Sequence, residues 1–443
     1  MNIQLSDHFT YPKLLRFVFP SITMMVFTSI YGAVDGFFVS NYVGKTPFAA
    51  INLIYPVLSI FGAMGLMAGT GGSAIVARTL GEGRPEQANR YFSMITEAVI
   101  VGGVLLMLLG LWLLTPLARL LGAQGKMQQD AVLYGSILLM ALVPCVLQNL
   151  FESFLITAER PKLGLVTTAA AGITNMALDF LFIVVFRWGL AGAAAATALS
   201  QAVGGFIPLA YFLSGRNHLL RLHRARVDWR VLWDTCVNGS SEVLTNIAIP
   251  LMQILFNFFL LEMAGENGVA AYGAIMYINF LFMAVFFGYS IGCSPVISYH
   301  YGAGNVAELQ GLFRKSIFLN VFTGLAMSLA SLLFSRYIVG AFVGYDEALF
   351  DLTRRGLLFY ASRYAITSLV VFSSGFFTAL GNGVISSTIS FLRAVVFQFS
   401  MMMILPRLLG TDGIWLAVVV GDLLSAVVAA GFLAANRRKY RYW

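Results

Sequence analysis

Long apolar runs separated by short polar segments make up most of this chain. A helix needs about 20 apolar residues to cross a bilayer, and twelve runs reach that length. They cover residues 13–38, 49–77, 92–115, 130–157, 162–186, 190–213, 235–260, 269–297, 313–335, 350–379, 383–406 and 412–434. The pattern predicts an all-α membrane protein with twelve transmembrane helices.

Composition agrees with this prediction. The chain has 443 residues, of which 59% are hydrophobic and 11% are charged, whereas soluble proteins have about 25% charged residues. The mean hydropathy is +0.81. No metal-binding cysteine spacing, nucleotide-binding Gly-Lys loop or catalytic constellation appears in the sequence. We therefore expect no enzyme activity, no structural metal site and no organic cofactor.

The distribution of positive charge predicts the orientation in the membrane. The net charge of +8 comes from residues in short loops, which is typical of membrane topology and not of a nucleic-acid-binding face. With the N-terminus inside, 18 of the 28 Lys and Arg residues fall in inside segments and 8 in outside segments. The positive-inside rule then places both termini in the cytoplasm.

The two halves of the sequence align at a single offset of 221 residues. Gly44 falls on Gly265, Gly83 falls on Gly304, and the pair Gly189 and Gly192 falls on Gly410 and Gly413, among other matches. Because each half holds six spans, both insert the same way up, with pseudo-two-fold symmetry about the membrane normal and a cavity between them. We expect an N-lobe at residues 1–213, a cytoplasmic linker at 214–230 and a C-lobe at 231–443.

Polar residues inside the spans are the candidates for function, because a charge in hydrocarbon is costly. Asn175 and Asp179 lie four residues apart and therefore on one helix face. A carboxylate beside an amide oxygen suits a proton relay or a hard cation. The alternative is a polar pair that only holds helices together.

The remaining candidates of the first half each have a simpler alternative. Asp35 lies near the outer end of span one, where it faces either interfacial water or a cavity. Glu152 lies toward the inner side of span four. Thr197 fits a helix-packing role, and Tyr134 fits an interfacial anchor.

Three charged residues of the second half are candidates for the cavity. Glu242 begins span seven and either lines the cavity or caps the helix at the cytoplasmic face. Arg363 and Arg393 fall within spans ten and eleven, where they either snorkel or face the cavity. Asp422 is a possible partner for one of these arginines, and the sequence does not pair them.

Three segments resemble the multidrug and toxic compound extrusion (MATE) family of twelve-helix secondary antiporters. They are VDGFFVSNYVGKTPFAAINLIYP after the first span, GTGGSAIVARTLGEGRPEQANRYF between spans two and three, and the diverged copy GCSPVISYHYGAGNVAELQ in the second half. The resemblance extends over essentially the whole chain. It points to the bacterial branch with an acidic site in the N-lobe.

The resemblance also implies roles for individual residues. The site of that branch matches Asp35, Asn175, Asp179 and Thr197, and Tyr134 matches a tyrosine of the third-to-fourth span region. Pro20 matches a proline at which the first helix bends. Members of the family often have an amide where this chain has Glu152, and this departure leaves the number of exchanged ions open.

Together these features predict a secondary exporter that exchanges cytoplasmic organic compounds, often cationic or amphipathic, for H⁺ or Na⁺. In the expected cycle the two lobes rock around the cavity, and a possible Na⁺ site comprises Asp35, Asn175, Asp179 and Thr197. The alternative is a lipid-linked oligosaccharide flippase of the same superfamily, for which more cavity arginines and lysines are expected. From the resemblance we expect a monomer in the bacterial inner membrane. Its partners would be small molecules and lipid, without nucleic acid.

Overall fold

The computed structural model describes residues 3–216, 219–344 and 346–443, except for the side chains of Lys45 and Ala341. In these residues all regular structure is helical, with fifteen α-helices and three π-helical segments. The α-helices are α1 Tyr11–Phe38, α2 Lys45–Gly81, α3 Pro85–Leu120, α4 Gly125–Met140, α5 Leu142–Thr157, α6 Pro161–Asp179, α7 Gly189–Leu213, α8 Trp229–Gly302, α9 Val306–Leu333, α10 Ser335–Val343, α11 Glu347–Ala361, α12 Tyr364–Ala379, α13 Gly383–Phe391, α14 Gln398–Leu409 and α15 Thr411–Tyr440. The π-helical segments are Val39–Val43, Phe180–Val185 and Leu392–Phe397.

These helices make the twelve predicted membrane crossings. Nine helices in the described residues are long and apolar enough to cross a bilayer alone. Two further crossings are bent pairs, α4 with α5 at 57° and α11 with α12 at 48°. The 74-residue α8 is interrupted at Gly265, whose φ of 63° and ψ of −152° are not helical, so it makes two crossings. The prediction of an all-α fold with twelve transmembrane helices is confirmed.

Several helices extend beyond the apolar runs. The third crossing begins at Pro85 and the seventh at Trp229, against predicted starts of 92 and 235. Hydropathy reports only the part of a helix that lies in hydrocarbon. The short helix α10 was not predicted, because its sequence is too short to span.

The backbone repeats at the predicted interval of 221 residues. Gly44, Gly83 and Gly189 have positive φ, and so do Gly265, Gly304 and Gly410. The bends in the α4–α5 and α11–α12 pairs also fall at equivalent positions. The boundaries at 213, 214, 230 and 231 stay a prediction.

The N-terminal segment, residues 3–10, and the start of α1 pack against the second half of the chain. Leu5, Phe9, Leu14 and Phe17 share a hydrophobic cluster with α8, α9, α12 and the last residues of the chain. The peptide N–H of Phe9 donates to Glu308 at the start of α9, at 2.9 Å. The beginning of the first half is therefore part of the second half's core.

The predicted linker packs against α3. Within its described residues 214–216 and 219–230, backbone groups bond to side chains of α3. Asn89 Nδ2 donates to the carbonyl of Leu219 at 3.0 Å, and the N–H of His223 donates to Ser93 Oγ at 3.1 Å. Leu220 is fully buried. His218 lies outside the described residues.

Glycines allow helices of the two halves to cross in direct backbone contact. A Cβ on Gly71 of α2 would lie 2.3 Å from the carbonyl oxygen of Thr235, and one on Gly239 of α8 would lie 1.9 Å from that of Met67. Similar contacts join Gly81 to Tyr299 and Gly302 to Arg78. These crossings close the space between the halves at the end that bears the N-terminus. We call them the glycine crossings.

Candidate functional site

A cavity of about 600 Å³ lies between the two halves, beyond the glycine crossings. Its first-half wall comes from α1, α2 and α4–α7, and its second-half wall comes from α8, α11, α13–α15 and the π-helical segment Leu392–Phe397. The wall is mostly apolar, with several charged and amide side chains. This is the usual character of a binding site for small amphipathic molecules.

Two carboxylates meet on the first-half wall. Asp35 of α1 lines the cavity, and Asp179 at the end of α6 lies behind it, fully buried. The two carboxyl groups are close enough to interact electrostatically. One Asp35 oxygen and both Asp179 oxygens are buried and have no hydrogen-bond partner in the described residues. We call Asp35 and Asp179 the acidic pair.

The other residues of the predicted site surround the acidic pair. Asn175 lines the cavity one helical turn before Asp179, and both of its side-chain polar atoms are buried without a described partner. Thr197 lines the cavity from α7, and its hydroxyl donates to the carbonyl of Ala193 at 3.1 Å. Tyr134 of α4 lines the same wall and is 3% exposed. The structure therefore brings Asp35, Tyr134, Asn175 and Thr197 to one wall, with Asp179 buried behind it.

Three charged residues at or directly behind the cavity wall adjoin the π-helical segments. Asp35 is one turn before Val39–Val43, Asp179 directly precedes Phe180–Val185, and Arg393 lies within Leu392–Phe397. Such segments are rare in proteins and often occur at functional sites. At each of these three segments, the helix backbone departs from α-helical geometry beside a charged side chain.

Glu152 and Glu242 also line the cavity. Glu152 is 8% exposed, and no described residue donates a hydrogen bond to either carboxylate. Glu242 lies 13 residues after the start of α8, so the expectation that it begins a span was wrong. The apolar run began later than the helix did, which made Glu242 look terminal.

Both arginines of the second half bond to one carboxylate. Asp422 of α15 is fully buried, and its Oδ2 accepts from Arg363 Nη1 at 2.8 Å and from Thr367. Its Oδ1 accepts from Arg393 Nε at 3.2 Å and from Gln398 Nε2 at 3.1 Å. We call Arg363, Arg393 and Asp422 the arginine cluster. It carries one net positive charge, and both of its arginines line the cavity.

The sequence left this pairing open and did not single out the amides around it. Arg363 lies between α11 and α12, where Nη2 donates to Asn279 Oδ1 at 2.7 Å. Its guanidinium also lies over the ring of Tyr360, 4.1 Å from the centroid. Asn279 and Gln398 are polar residues inside apolar runs, and that property would have identified them.

Pro20 lies inside α1 and is buried. The helix continues through it from Tyr11 to Phe38, although proline removes one hydrogen bond of the helix backbone. The role of Pro20 as a bending point stays a prediction.

Comparison with known proteins identifies the family. The MatE family model matches residues 20–181 and 243–404, one segment in each half of the chain. The chain belongs to the MatE family. The resemblance noted from the sequence is thereby confirmed, and so is the expectation of a multi-pass membrane protein that is not an enzyme.

Individual members show how far the similarity extends. The multidrug export protein MepA of Staphylococcus saprophyticus is 22% identical over 94% of this chain and 92% of its own. MepA of Staphylococcus aureus strain MRSA252 is 22% identical over 95% of this chain and 92% of its own. A crystal structure of MATE in complex with MaL6 is 23% identical, with a TM-score of 0.92 and 98% of both chains covered. The MatE fold, with its two lobes, therefore accounts for the whole chain.

Proposed function

We propose that this MatE protein is a secondary exporter that exchanges organic compounds for H⁺ or Na⁺. Its relatives named as multidrug export proteins support the export of organic compounds in general. The observation that carries the coupling is the acidic pair at the cavity wall. Two carboxylates that lie close together in a buried site repel each other unless a proton or a metal cation lies between them.

The unpartnered groups around the acidic pair support cation binding. In the described residues, the buried amide oxygen of Asn175 has no hydrogen-bond partner, and neither do three carboxylate oxygens of Asp35 and Asp179. Unpartnered buried polar atoms are costly, and a cation with its oxygen ligands would satisfy them. A proton shared by the two carboxylates would satisfy fewer of them. The transport experiment described below distinguishes H⁺ from Na⁺ as the coupling ion.

Exchange requires that cation and cargo compete for one site. A cationic or amphipathic compound in the cavity is attracted to the acidic pair when the pair is ionised. Binding of H⁺ or Na⁺ neutralises the pair and weakens that attraction, so the incoming cation releases the cargo. Rocking of the two halves about the cavity would connect this competition to the two sides of the membrane.

We assign the structure to the outward-facing state of this cycle. The glycine crossings close the end that carries Lys13, Arg16, Arg78 and Arg84, and the positive-inside rule places that end in the cytoplasm. The cavity lies on the opposite side of the crossings. Movement to the inward-facing state would then separate α2 from α8 at Gly71 and Gly239.

The flippase alternative receives no support from the cavity. A lipid pyrophosphate carries several negative charges, while Arg363 and Arg393 together leave one net positive charge after bonding to Asp422. The acidic pair, Glu152 and Glu242 would add repulsion. Neutralising a buried multivalent anion requires more positively charged side chains than this wall supplies.

The test is ethidium transport in proteoliposomes under an imposed pH gradient or an imposed Na⁺ gradient. We expect transport to follow one of the two gradients and to lose that dependence in Asp179→Asn. Asp351→Asn is the matched control, because Asp351 is an exposed carboxylate of α11 away from the cavity. Gradient-dependent transport that persists in Asp179→Asn would overturn the coupling site. Folded protein that moves ethidium under neither gradient would overturn the exporter.

A further inference from the structure

The arginine cluster leaves part of one arginine without a hydrogen bond in the described residues, and that arginine lines the cavity. Asp422 accepts two hydrogen bonds on each oxygen, so it is saturated. Arg363 is held by Asp422 and Asn279 and stacks on Tyr360. Arg393 uses only Nε, at 3.2 Å from Asp422. In the described residues its two Nη groups meet no acceptor.

The geometry and charge of the Arg393 guanidinium indicate which chemical group it would bind. The Arg393 side chain is 15% exposed and lines the cavity. The two Nη groups of a guanidinium present parallel donors that match the two oxygens of a carboxylate. The cluster carries one uncompensated positive charge, which one carboxylate would neutralise. Neutralising the net charge of the cluster would stabilise this wall, so a ligand carboxylate on Arg393 is favourable.

We propose that Arg393 is a specificity-determining residue of the cavity that binds the carboxylate of zwitterionic, amphipathic cargo. Phe280, Met283 and Phe287 line the same wall and offer apolar contacts for an aromatic body. A zwitterion would place its cationic group toward the acidic pair and its carboxylate on Arg393. This proposal rests on the proposed function, because it assumes that the cavity holds the transported compound.

A structural role for Arg393 is the competing explanation. Its Nε bond joins the π-helical segment Leu392–Phe397 to α15, and any residue that keeps this contact would serve that role. A structural residue does not distinguish ligands that differ only in a carboxylate. The test therefore compares two ligands of nearly the same shape, one with a free carboxylate and one with that carboxylate esterified.

Rhodamine 110 and its methyl ester, rhodamine 123, provide that comparison. Binding of each dye to the purified full-length protein is followed by fluorescence anisotropy. We expect the wild type to bind rhodamine 110 roughly tenfold more tightly than the ester, which corresponds to one charge-assisted hydrogen-bonding pair. Arg393→Gln should remove that preference by weakening rhodamine 110 binding alone. Arg393→Lys, which keeps the charge but not the planar donor pair, should retain part of it.

The matched control is Arg407→Gln, which removes an exposed arginine at the end of α14 that does not line the cavity. It should leave both affinities unchanged. Equal affinities of the wild type for the two dyes would overturn the proposal, whether or not any variant folds. Equal losses for both dyes in Arg393→Gln would also overturn it and indicate the structural role. The exporter proposal is tested by a different experiment. If ethidium is not transported, that proposal is overturned even when the protein prefers rhodamine 110 to its ester.

Discussion

The N–H of Leu5 donates to Glu159 Oε1 at 2.6 Å, although Glu159 occupies a left-handed backbone conformation with φ of 59°. The turn between α5 and α6 contains this residue, while the turn between α12 and α13 in the second half has Gly381 with φ of 76°. Left-handed backbone is unfavourable for side chains other than glycine, by roughly 1–2 kcal/mol. The bond to Leu5 offsets that cost.

Leu5 and Phe9 therefore connect the two halves near the glycine crossings. Leu5 bonds to Glu159 in the first half, and Phe9 bonds to Glu308 in the second. His8 Nδ1 also lies 2.6 Å from Glu308 Oε2. The N-terminal segment thus fastens the end that the glycine crossings close, and its attachment can be tested directly.

We predict that Glu159→Gly releases the N-terminal segment with little change in overall stability. Glycine removes the strain of the left-handed backbone conformation, which stabilises the fold by about 1–2 kcal/mol. Loss of the hydrogen bond to Leu5 destabilises it by a similar amount. The melting temperature should change little, while hydrogen–deuterium exchange over residues 3–10 should accelerate. Glu159→Gln keeps an acceptor for Leu5 and is the control. Unchanged exchange in Glu159→Gly would contradict the role of this bond.

The same residue predicts a pH dependence. Burial raises the pKa of Glu159 above its ordinary value, against the smaller opposing effect of the Leu5 N–H. A raised pKa in the folded state means that the unfolded chain releases the proton more readily. The resulting stabilisation is complete at pH values below the unfolded pKa of about 4.3 and is lost as pH rises through the folded value.

Glu159→Gln should therefore behave differently at the two ends of the pH range. At about pH 4 the wild type is protonated, and the two proteins should melt at similar temperatures. At about pH 8 the variant, which has no charge to bury, should melt at the same temperature as the wild type or higher. The measurement is the difference in melting temperature across this range in one detergent. A variant whose relative stability falls as pH rises would contradict the direction of the pKa shift.

The number and order of the spans were predictable, because length and hydropathy decide whether a helix crosses a bilayer. Asn175 and Asp179 were predictable as neighbours because their spacing places them on one helix face. The proximity of Asp35 to Asp179 was expected from the family resemblance alone. The shared partner of Arg363 and Arg393 was not predictable. Asp422 lies 59 and 29 residues away from them, and only packing of α15 against the other helices joins them.

Residues at the glycine crossings should not tolerate a side chain. We predict that Gly239→Ala disfavours the structure described here, since the added Cβ would overlap the Met67 carbonyl. Overpacking of this kind costs roughly 1–3 kcal/mol or more. The variant should relieve the overlap by opening the cytoplasmic end. In a Cys236→Ser background, an impermeant maleimide in inside-out vesicles should then label Cys145, which lines the cavity.

The control for this prediction is Gly273→Ala in the same helix. In the described residues, no atom outside the adjacent turns of the same helix lies within 4 Å of a Cβ added there, and its φ is not positive. Its labelling and transport should match those of the wild type. If Gly239→Ala also labels like the wild type and remains active, the crossing at Gly239 does not control access to the cavity.

Asp35 and Asp179 should act as one unit in coupling. Each single change to Asn removes one of the two carboxylates that hold the cation, and the remaining one does not bind it alone. We therefore expect Asp35→Asn and Asp179→Asn each to abolish gradient-dependent ethidium transport, with no further loss in the double variant. The measurement is the initial rate with and without the gradient. Losses that add in the double variant would show that the two carboxylates act separately.

Asp422 should be more important for folding than either arginine. Its removal leaves Arg363 and Arg393 adjacent in a buried site, with no carboxylate between them. Breaking a buried ion pair costs about 3–5 kcal/mol, and here two arginines lose the same partner. Asp422→Asn should lower the melting temperature strongly. Asp412→Asn, which removes the partner of exposed Arg355, should have little effect, since surface ion pairs contribute about 0–1 kcal/mol.

A compensating variant separates the charge effect from loss of packing. If the uncompensated arginine is the cause, Arg393→Gln added to Asp422→Asn should restore part of the lost stability, because one of the two unpaired charges is then removed. Thermal unfolding in detergent measures all three proteins. A double variant less stable than Asp422→Asn would show that Arg393 contributes through packing. Asp422 would then not stabilise the protein by neutralising the arginines.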